Sequence, residues 1–324
     1  MIDIKEIERP VALEMCECRK RYESLLSHEN PYLDEILAYV ASYNGKMLRP
    51  LLVLLCGKLL KNCNLRTQSM ALAIEFFHTA SLLHDDIVDD SDERRGNKSV
   101  RVAFDNKSAV LVGDYLLATS LKCVALTEKP QLMSSLSVCA QQMTDGELLQ
   151  LHHSHLLETT EEDYFKVIER KTAELFAVCT ESAALCADAD QPTVERLRLF
   201  GRYLGICFQL KDDILDYVGD AKLGKPVGND LVEGKMTLPL LHALHVRSDS
   251  STAPLIDHMQ QGKLTQEEAA TLIDFTVQAG GILYAQQVMN TYALKAKETL
   301  APFFGSEEHL ALMRYVDYVV ARVY

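Results

Sequence analysis

The segment HTASLLHDDIVDDSDERRG, His78 to Gly96, carries five aspartates within eight residues, with two arginines following after Glu93. Carboxylate oxygens at this density suit a hard divalent cation. Mg²⁺ is usually held by one or two carboxylates, with water and substrate phosphate completing its octahedron. The run MALAIEFFHTASLLHDDIVDD (Met70–Asp90) has no Gly or Pro and keeps apolar residues at helical spacing. At about 100° per residue, Asp85, Asp86 and Asp89 share one narrow arc, with Ser81 and His78 one and two turns back on the same side. Like charges so placed repel by about 3 kcal/mol per pair at about 5 Å and an effective dielectric near 20. A cation must normally answer them.

One D-D-x-x-D could be a solvated acidic helix end, but FQLKDDILDYVGD repeats it as Asp212, Asp213 and Asp216. This copy also follows an apolar helical run, RLRLFGRYLGICFQL, and the flanks are too dissimilar for a duplication. Two helices ending this way suggest two facing carboxylate clusters. An EF-hand is excluded because neither motif alternates ligands in a Gly-containing loop. Zinc is disfavoured too: His152, His153 and His155 in LHHSHL lack Cys partners or an H-E-x-x-H spacing and read as a partly exposed helix end.

Metal bridging to phosphate calls for cations that bind phosphate directly. NGKMLRP offers Lys46 and Arg49 at a helix start, and Arg94 and Arg95 follow the first acidic motif. ERKTAELF places Lys171 and Thr172 inside a long apolar helix, and LGKPVGNDLVEGKMTLP places Lys225 and Lys235 just after the second motif. Arginine forks match phosphate oxygens and lysines add point charge. Singly, each reads as a surface cation; together they describe a site for two polyphosphate groups.

The elements that must position these groups are helices. Gly and Pro are sparse, strand-like alternation is hard to find, and T-E-E-D and T-Q-E-E look like helix caps. No linker or low-complexity stretch divides the chain. The expectation is an all-α fold, one domain over residues 1–324, with more than ten helices around a large core. A net charge of −13 argues against a nucleic-acid partner. Nine cysteines without C-x-x-C spacing read as reduced thiols, the charged N-terminus is no signal peptide, and no uninterrupted apolar run reaches membrane-spanning length. A cytoplasmic protein is expected.

As a set and in this order, NGKMLRP, HTASLLHDDIVDDSDERRG, LVGDYLL, ERKTAELF, GRYLGICFQLKDDILDY and LGKPVGNDLVEGKMTLPLLHAL resemble the trans-type polyprenyl diphosphate synthases, nearest to bacterial octaprenyl-type enzymes. The resemblance implies an all-α homodimer of isoprenoid-synthase type with a deep central cavity, condensing isopentenyl diphosphate onto an allylic prenyl diphosphate. It implies that Asp85, Asp86, Asp89, Asp212 and Asp213, with Asp216 less directly, hold Mg²⁺, three ions per site, on the allylic diphosphate. Arg94, Lys171, Lys225 and Lys235 would contact that diphosphate, whereas Lys46, Arg49, His78 and Arg95 would bind isopentenyl diphosphate. Thr172 and Gln209 would line the reacting carbons, their oxygen dipoles facing positive charge. Lys211 departs from the family pattern and is expected to reach solvent or pair with a neighbouring acid.

Such a site would stabilise the departing diphosphate electrostatically, keep water from the allylic cation and hold the attacking double bond in register. No side-chain nucleophile is needed. A class I terpene cyclase is disfavoured by the intact second D-D-x-x-D and the G-K-x-x-R-P segment, and a non-catalytic subunit by both complete acidic motifs. Ala80 and Ser81 precede Asp85 by five and four residues, where short-chain relatives carry aromatics. Their small size implies an open upper cavity, a stop further down (Leu117 and Leu121 are candidates) and a product of about seven to ten isoprene units for a quinone tail. Transient membrane contact would serve release of such a lipid.

Overall fold

The computed structural model describes residues 3–43, 45–153, 159–219, 227–247 and 251–322. Helices dominate, as expected. The first are α1 (Ile4–Glu8), α2 (Ala12–Leu25), α3 (Pro31–Ala41), α4 (Leu48–Leu59) and α5 (Leu65–Val88). Then come α6 (Val100–Ala103), α7 (Asn106–Ala125), α8 (Pro130–His153), α9 (Glu161–Ile168), α10 (Glu174–Cys186) and α11 (Gln191–Val218). The last are α12 (Asn229–Val232), α13 (Leu238–Val246), α14 (Ala253–Gln260), α15 (Gln266–Gln278), α16 (Gly281–Thr299) and α17 (Glu307–Ala321).

Sequence signals mark the boundaries. Asn64 and Asp190 accept the backbone N–H of Thr67 and Thr193, starting α5 and α11, and Pro192 sits in the first turn of α11. Thr160 with Asp163 and Thr265 with Glu268 form complete capping boxes at α9 and α15. The run from Met70 to Phe77 is buried at every position, so α5 lies inside the bundle and packs against α7, α4 and α10. α11 packs between α10 and α16. Most of the core gathers around these helices, and a smaller cluster forms where Tyr217, Leu231, Leu240, Leu272 and Phe275 meet.

Two departures from uniform helix occur beside the functional residues. Glu93–Arg94 and Asn97–Lys98 pair as a minimal antiparallel hairpin, its turn made by Arg95 and Gly96 at φ of 53° and 77°. The long helix expected across ERKTAELF is interrupted by a π-helical turn, Glu169–Ala173. Such turns leave no periodicity signature, because one extra residue disturbs the 3.6 pattern only locally.

Helix α7 is long enough and apolar enough, at mean hydropathy 1.4, to cross a membrane, but half of its most apolar window is buried inside the fold. Counting uninterrupted apolar runs passes over it because Lys107, Asp114 and Lys122 break the sequence. All nine cysteines are free thiols.

Candidate active site

A cavity of about 610 Å³ opens between α5, α8, the π turn and α11. Asp85 from the first motif and Asp212 from the second line it together, with Arg49, His78, Arg94, Lys171, Thr172 and Gln209. The chain therefore brings residues from five segments to one space. Lys225 lies outside the described residues.

The three carboxylates of the first motif differ in setting. Burial pushes the Asp85 carboxyl up to about 6, opposed by Lys171 and assisted by Glu147 and Asp89. Asp86 is 1 % exposed and is gripped by Arg94, whose Nε donates to Oδ1 at 2.8 Å. The short hairpin makes that grip possible by turning Arg94 back onto α5. Asp89 is the exposed C-cap of α5 and borders a second pocket with Lys235 and Glu233.

The second motif is engaged differently. Asp212 accepts from Nη2 of Arg322 at 2.8 Å, and that guanidinium also stacks 3.8 Å above the Phe208 ring. Asp213 is 2 % exposed, and burial and then Asp230 raise its pKa. Its Oδ2 accepts from the Tyr164 hydroxyl at 2.5 Å and its Oδ1 from Nε2 of Gln209 at 2.8 Å. Asp216 accepts the backbone N–H groups of Asn229 and Asp230 at 3.2 and 3.1 Å, which caps α12; burial lifts its pKa to about 6. The resemblance gives Asp212 and Asp213 as metal ligands with Asp216 less directly; of these, Asp212 lines the cavity, while Asp213 and Asp216 also accept from protein donors. Sequence spacing fixes which arc a side chain leaves from, not what reaches it.

Arg49 is enclosed by aromatics, its guanidinium 4.9 Å from the Phe176 centroid and 5.8 Å from that of Phe208. Burial, then Arg49 and Arg95, hold the His78 pKa well below the usual value. The neutral ring can accept from Nη1 of Arg49 at 2.9 Å. The Arg49 Nε is buried without a hydrogen-bond partner, a donor suited to an anion. Arg95 lies against Gly45, where a Cβ would come within 2.3 Å of its Nη1. Lys46 donates to the Tyr318 hydroxyl at 3.1 Å. Arg95 lines a neighbouring pocket with Gly45 and Met47, whereas Lys171 and Lys235 line another together.

Lys171 pairs with Glu147 of α8 at 2.5 Å, and Thr172 donates to Oε1 of Gln209 at 2.7 Å. The π turn carrying both packs on Gly146, where a Cβ would stand 2.7 Å from the Lys171 backbone nitrogen. Lys235 forms ion pairs with Asp230 and Glu233, at 3.5 and 2.5 Å. Lys211 is half-buried, and burial and then Arg322 lower its pKa, so it does not simply reach for solvent.

Ala80 and Ser81 both line the cavity. One further turn down, Phe77 lines it too, with Leu117, Ala140, Met143 and Leu175. Leu121 is 41 % exposed and points elsewhere. Sequence reading missed Phe77, Glu147, Tyr164 and Arg322. Phe77 was findable, since it precedes Ser81 by one helical turn; Tyr164 and Arg322 lie far from the motifs and carry no local signature.

Among the described residues, no three His, Cys, Asp or Glu side chains converge as a ready-made metal cage. The arrangement nonetheless fits a hard cation shared with phosphate. The donors are carboxylate oxygens, and Oδ2 of Asp86 is buried with no hydrogen-bond partner, an anionic oxygen that a cation would satisfy.

An all-α bundle with paired acidic helix ends, a ring of cations and an apolar cavity below them defines a diphosphate-handling enzyme. Residues 30–276 match the polyprenyl synthetase family model, and the chain belongs to that family, whose members are prenyltransferases making polyprenyl diphosphates. It is 34% identical to octaprenyl diphosphate synthase of Haemophilus influenzae, over 100% of this chain and 98% of that one. Among solved structures, a polyprenyl synthase from Caulobacter crescentus, complexed with calcium and isoprenyl diphosphate, superposes with a TM-score of 0.93 at 33% identity, covering 99% and 98% of the two chains. A geranylgeranyl pyrophosphate synthase from Bacteroides thetaiotaomicron gives 0.86 at 40% identity, covering 98% and 99%.

Proposed function

We propose that this single-domain chain, residues 1–324, condenses isopentenyl diphosphate onto an allylic diphosphate, farnesyl diphosphate being the expected starter, and elongates it repeatedly. The observation that carries this is one cavity with Asp85, Asp212, Arg94 and Lys171 at its mouth and Phe77, Leu117, Met143 and Leu175 below. Mg²⁺, three ions per site, would be held by Asp85, Asp86, Asp89 and Asp212 with the allylic diphosphate, and would neutralise the charge of the departing group. Arg94, Lys171 and Lys235, with Lys225, bind the same diphosphate. Lys46, Arg49, His78 and Arg95 hold isopentenyl diphosphate, and register between the two sites sets the reacting carbons together. Thr172 and Gln209 present oxygens to the allylic cation, and apolar walls keep water away.

Small Ala80 and Ser81 support a long product of about seven to ten isoprene units for a quinone tail. Phe77, 6 % exposed and aimed into the same cavity, favours a second reading, in which the chain stops near geranylgeranyl length. Exposed Val110, Leu111 and Leu121 on α7 support a homodimer through that face. Free thiols suit the cytoplasm. The test is the mass of products made by purified protein from Mg²⁺, isopentenyl diphosphate and farnesyl diphosphate. Long polyprenyl diphosphates support the first reading, geranylgeranyl diphosphate the second, and absence of any condensation removes both.

A further inference from the structure

The structure assigns Tyr164 as a positioning residue for the elongation reaction proposed above, acting through Asp213 and Gln209 on the oxygens that face the allylic carbons. Four side chains form one directed hydrogen-bond chain. The Tyr164 hydroxyl donates to Oδ2 of Asp213 at 2.5 Å, and Nε2 of Gln209 donates to Oδ1 of the same carboxylate at 2.8 Å. The Thr172 hydroxyl donates to Oε1 of Gln209 at 2.7 Å.

The direction of this chain matters. Both oxygens of Asp213 accept, one from Tyr164 and one from the Gln209 amide nitrogen, so that nitrogen lies on the Asp213 side and the amide oxygen turns outward to Thr172. That oxygen takes the Thr172 proton, so the remaining lone pairs on both Oε1 and Oγ1 are left for the cavity that Thr172 and Gln209 line. Two oxygen dipoles therefore face the place where an allylic cation would form, and no proton of the pair competes. Tyr164 is 5 % exposed and comes from α9, whereas Asp213 and Gln209 come from α11, so the tyrosine ties the carboxylate across the helix interface. Without it, Asp213 could turn and the Gln209 amide would lose its fixed orientation.

Steady-state kinetics of Tyr164→Phe, with Mg²⁺, isopentenyl diphosphate and farnesyl diphosphate, test this. We expect kcat to fall about 10- to 100-fold while both KM values stay within about twofold, since no phosphate contact is removed. Thr172→Val, and the double variant with Tyr164→Phe, complete a cycle. If Tyr164 works through Thr172, the double variant is hardly slower than the worse single one. A kcat for Tyr164→Phe equal to wild type, a rise confined to KM, or single losses that multiply in the double variant would each overturn the assignment. Should Tyr164→Phe fail to fold, Gln209→Met removes both amide contacts at similar length. Lowered kcat at constant KM then supports the chain, and an unchanged kcat overturns it. Wild-type turnover in the same assay separates these outcomes from failure of the elongation reading, which would leave the wild type itself inactive.

Discussion

At the end of α5, Asp85 faces the cavity, Asp86 is gripped by an arginine on a following hairpin, and Asp89 caps the helix in solvent. At the end of α11, the same D-D-x-x-D spacing sends Asp212 to the cavity beside Arg322, Asp213 to Tyr164 and Gln209, and Asp216 to the N–H groups of α12. In the first motif Asp85 lines the cavity, and one oxygen of Asp86 is buried and unpartnered. The second divides its carboxylates between site and scaffold. Identical spacing produces different roles because the partners arrive from elsewhere: the hairpin for α5, and α9, the α12 loop and α17 for α11.

The largest expected effect is common to both helix ends. Asp85→Ala and Asp212→Ala should each lower turnover by several orders of magnitude while helix content and melting temperature stay near wild type. Retention of more than about a tenth of activity by either would break the pairing of the two motifs across one site. Asp216→Ala should separate from these, because its loss removes a helix cap. The expected result is a local destabilisation of about 1 kcal/mol and a raised KM for the allylic substrate through Lys235, with kcat far less affected than for Asp212→Ala.

A smaller effect distinguishes the cations on either flank. Arg49→Ala and Lys46→Ala should each weaken isopentenyl diphosphate binding by about 1.5–3 kcal/mol, whereas Lys235→Ala acts on the allylic diphosphate. Titrations with non-reacting analogues check this, and the reverse pairing would exchange the two subsites.

The motifs made much of this legible in sequence. Helical periodicity placed α5 and α11, and the capping boxes at Thr160 and Thr265 read directly. The clustering of Asp85, Asp212, Lys171 and Arg94 followed from residue types that need one another. Other features were not legible for physical reasons. The π turn under Lys171 differs from α-helix by one residue, and the Arg94 hairpin pairs only two residues per strand. Tyr164 and Arg322 act across helix interfaces, where only tertiary packing decides who meets whom. Periodicity reports a helix face but not its neighbour.

Product length tests the two helices below their aspartates. On α5 the turns beneath Asp85 present Ser81 and then Phe77 to the cavity, while on α11 Phe208 beneath Asp212 carries the Arg322 guanidinium. Ser81→Phe should shift products towards farnesyl or geranylgeranyl diphosphate without abolishing the first condensation, and Phe77→Ala should lengthen them. Turnover of the first condensation should change by less than about threefold in each, because no phosphate or cation contact is lost. Chromatography showing unchanged products from both folded variants would mean that the growing chain does not run along α5.

The smallest expected effect concerns stability in the absence of metal and substrate, and it follows from burial of like charge at both helix ends. The Asp85 carboxyl is raised from the usual 3.8 to about 6, chiefly by burial, so between those values the folded protein binds a proton that the unfolded chain does not. Stability must therefore rise as pH falls through 6, and the cost of the ionised form is fully present above it. Asp85→Asn removes that cost. In chelator, the variant should be more stable than wild type by about 1 kcal/mol at pH 7.5, an advantage that fades by pH 4. Asp216, also raised to about 6 by burial, should not repay the same change so simply, because the carboxylate accepts the Asn229 and Asp230 N–H groups that an amide can satisfy only in part. Urea titrations at both pH values measure the difference. A destabilised Asp85→Asn at pH 7.5 would show that its carboxylate, like that of Asp216, serves the scaffold, and the contrast between the two motifs would narrow to the partners of Asp213 and Asp216.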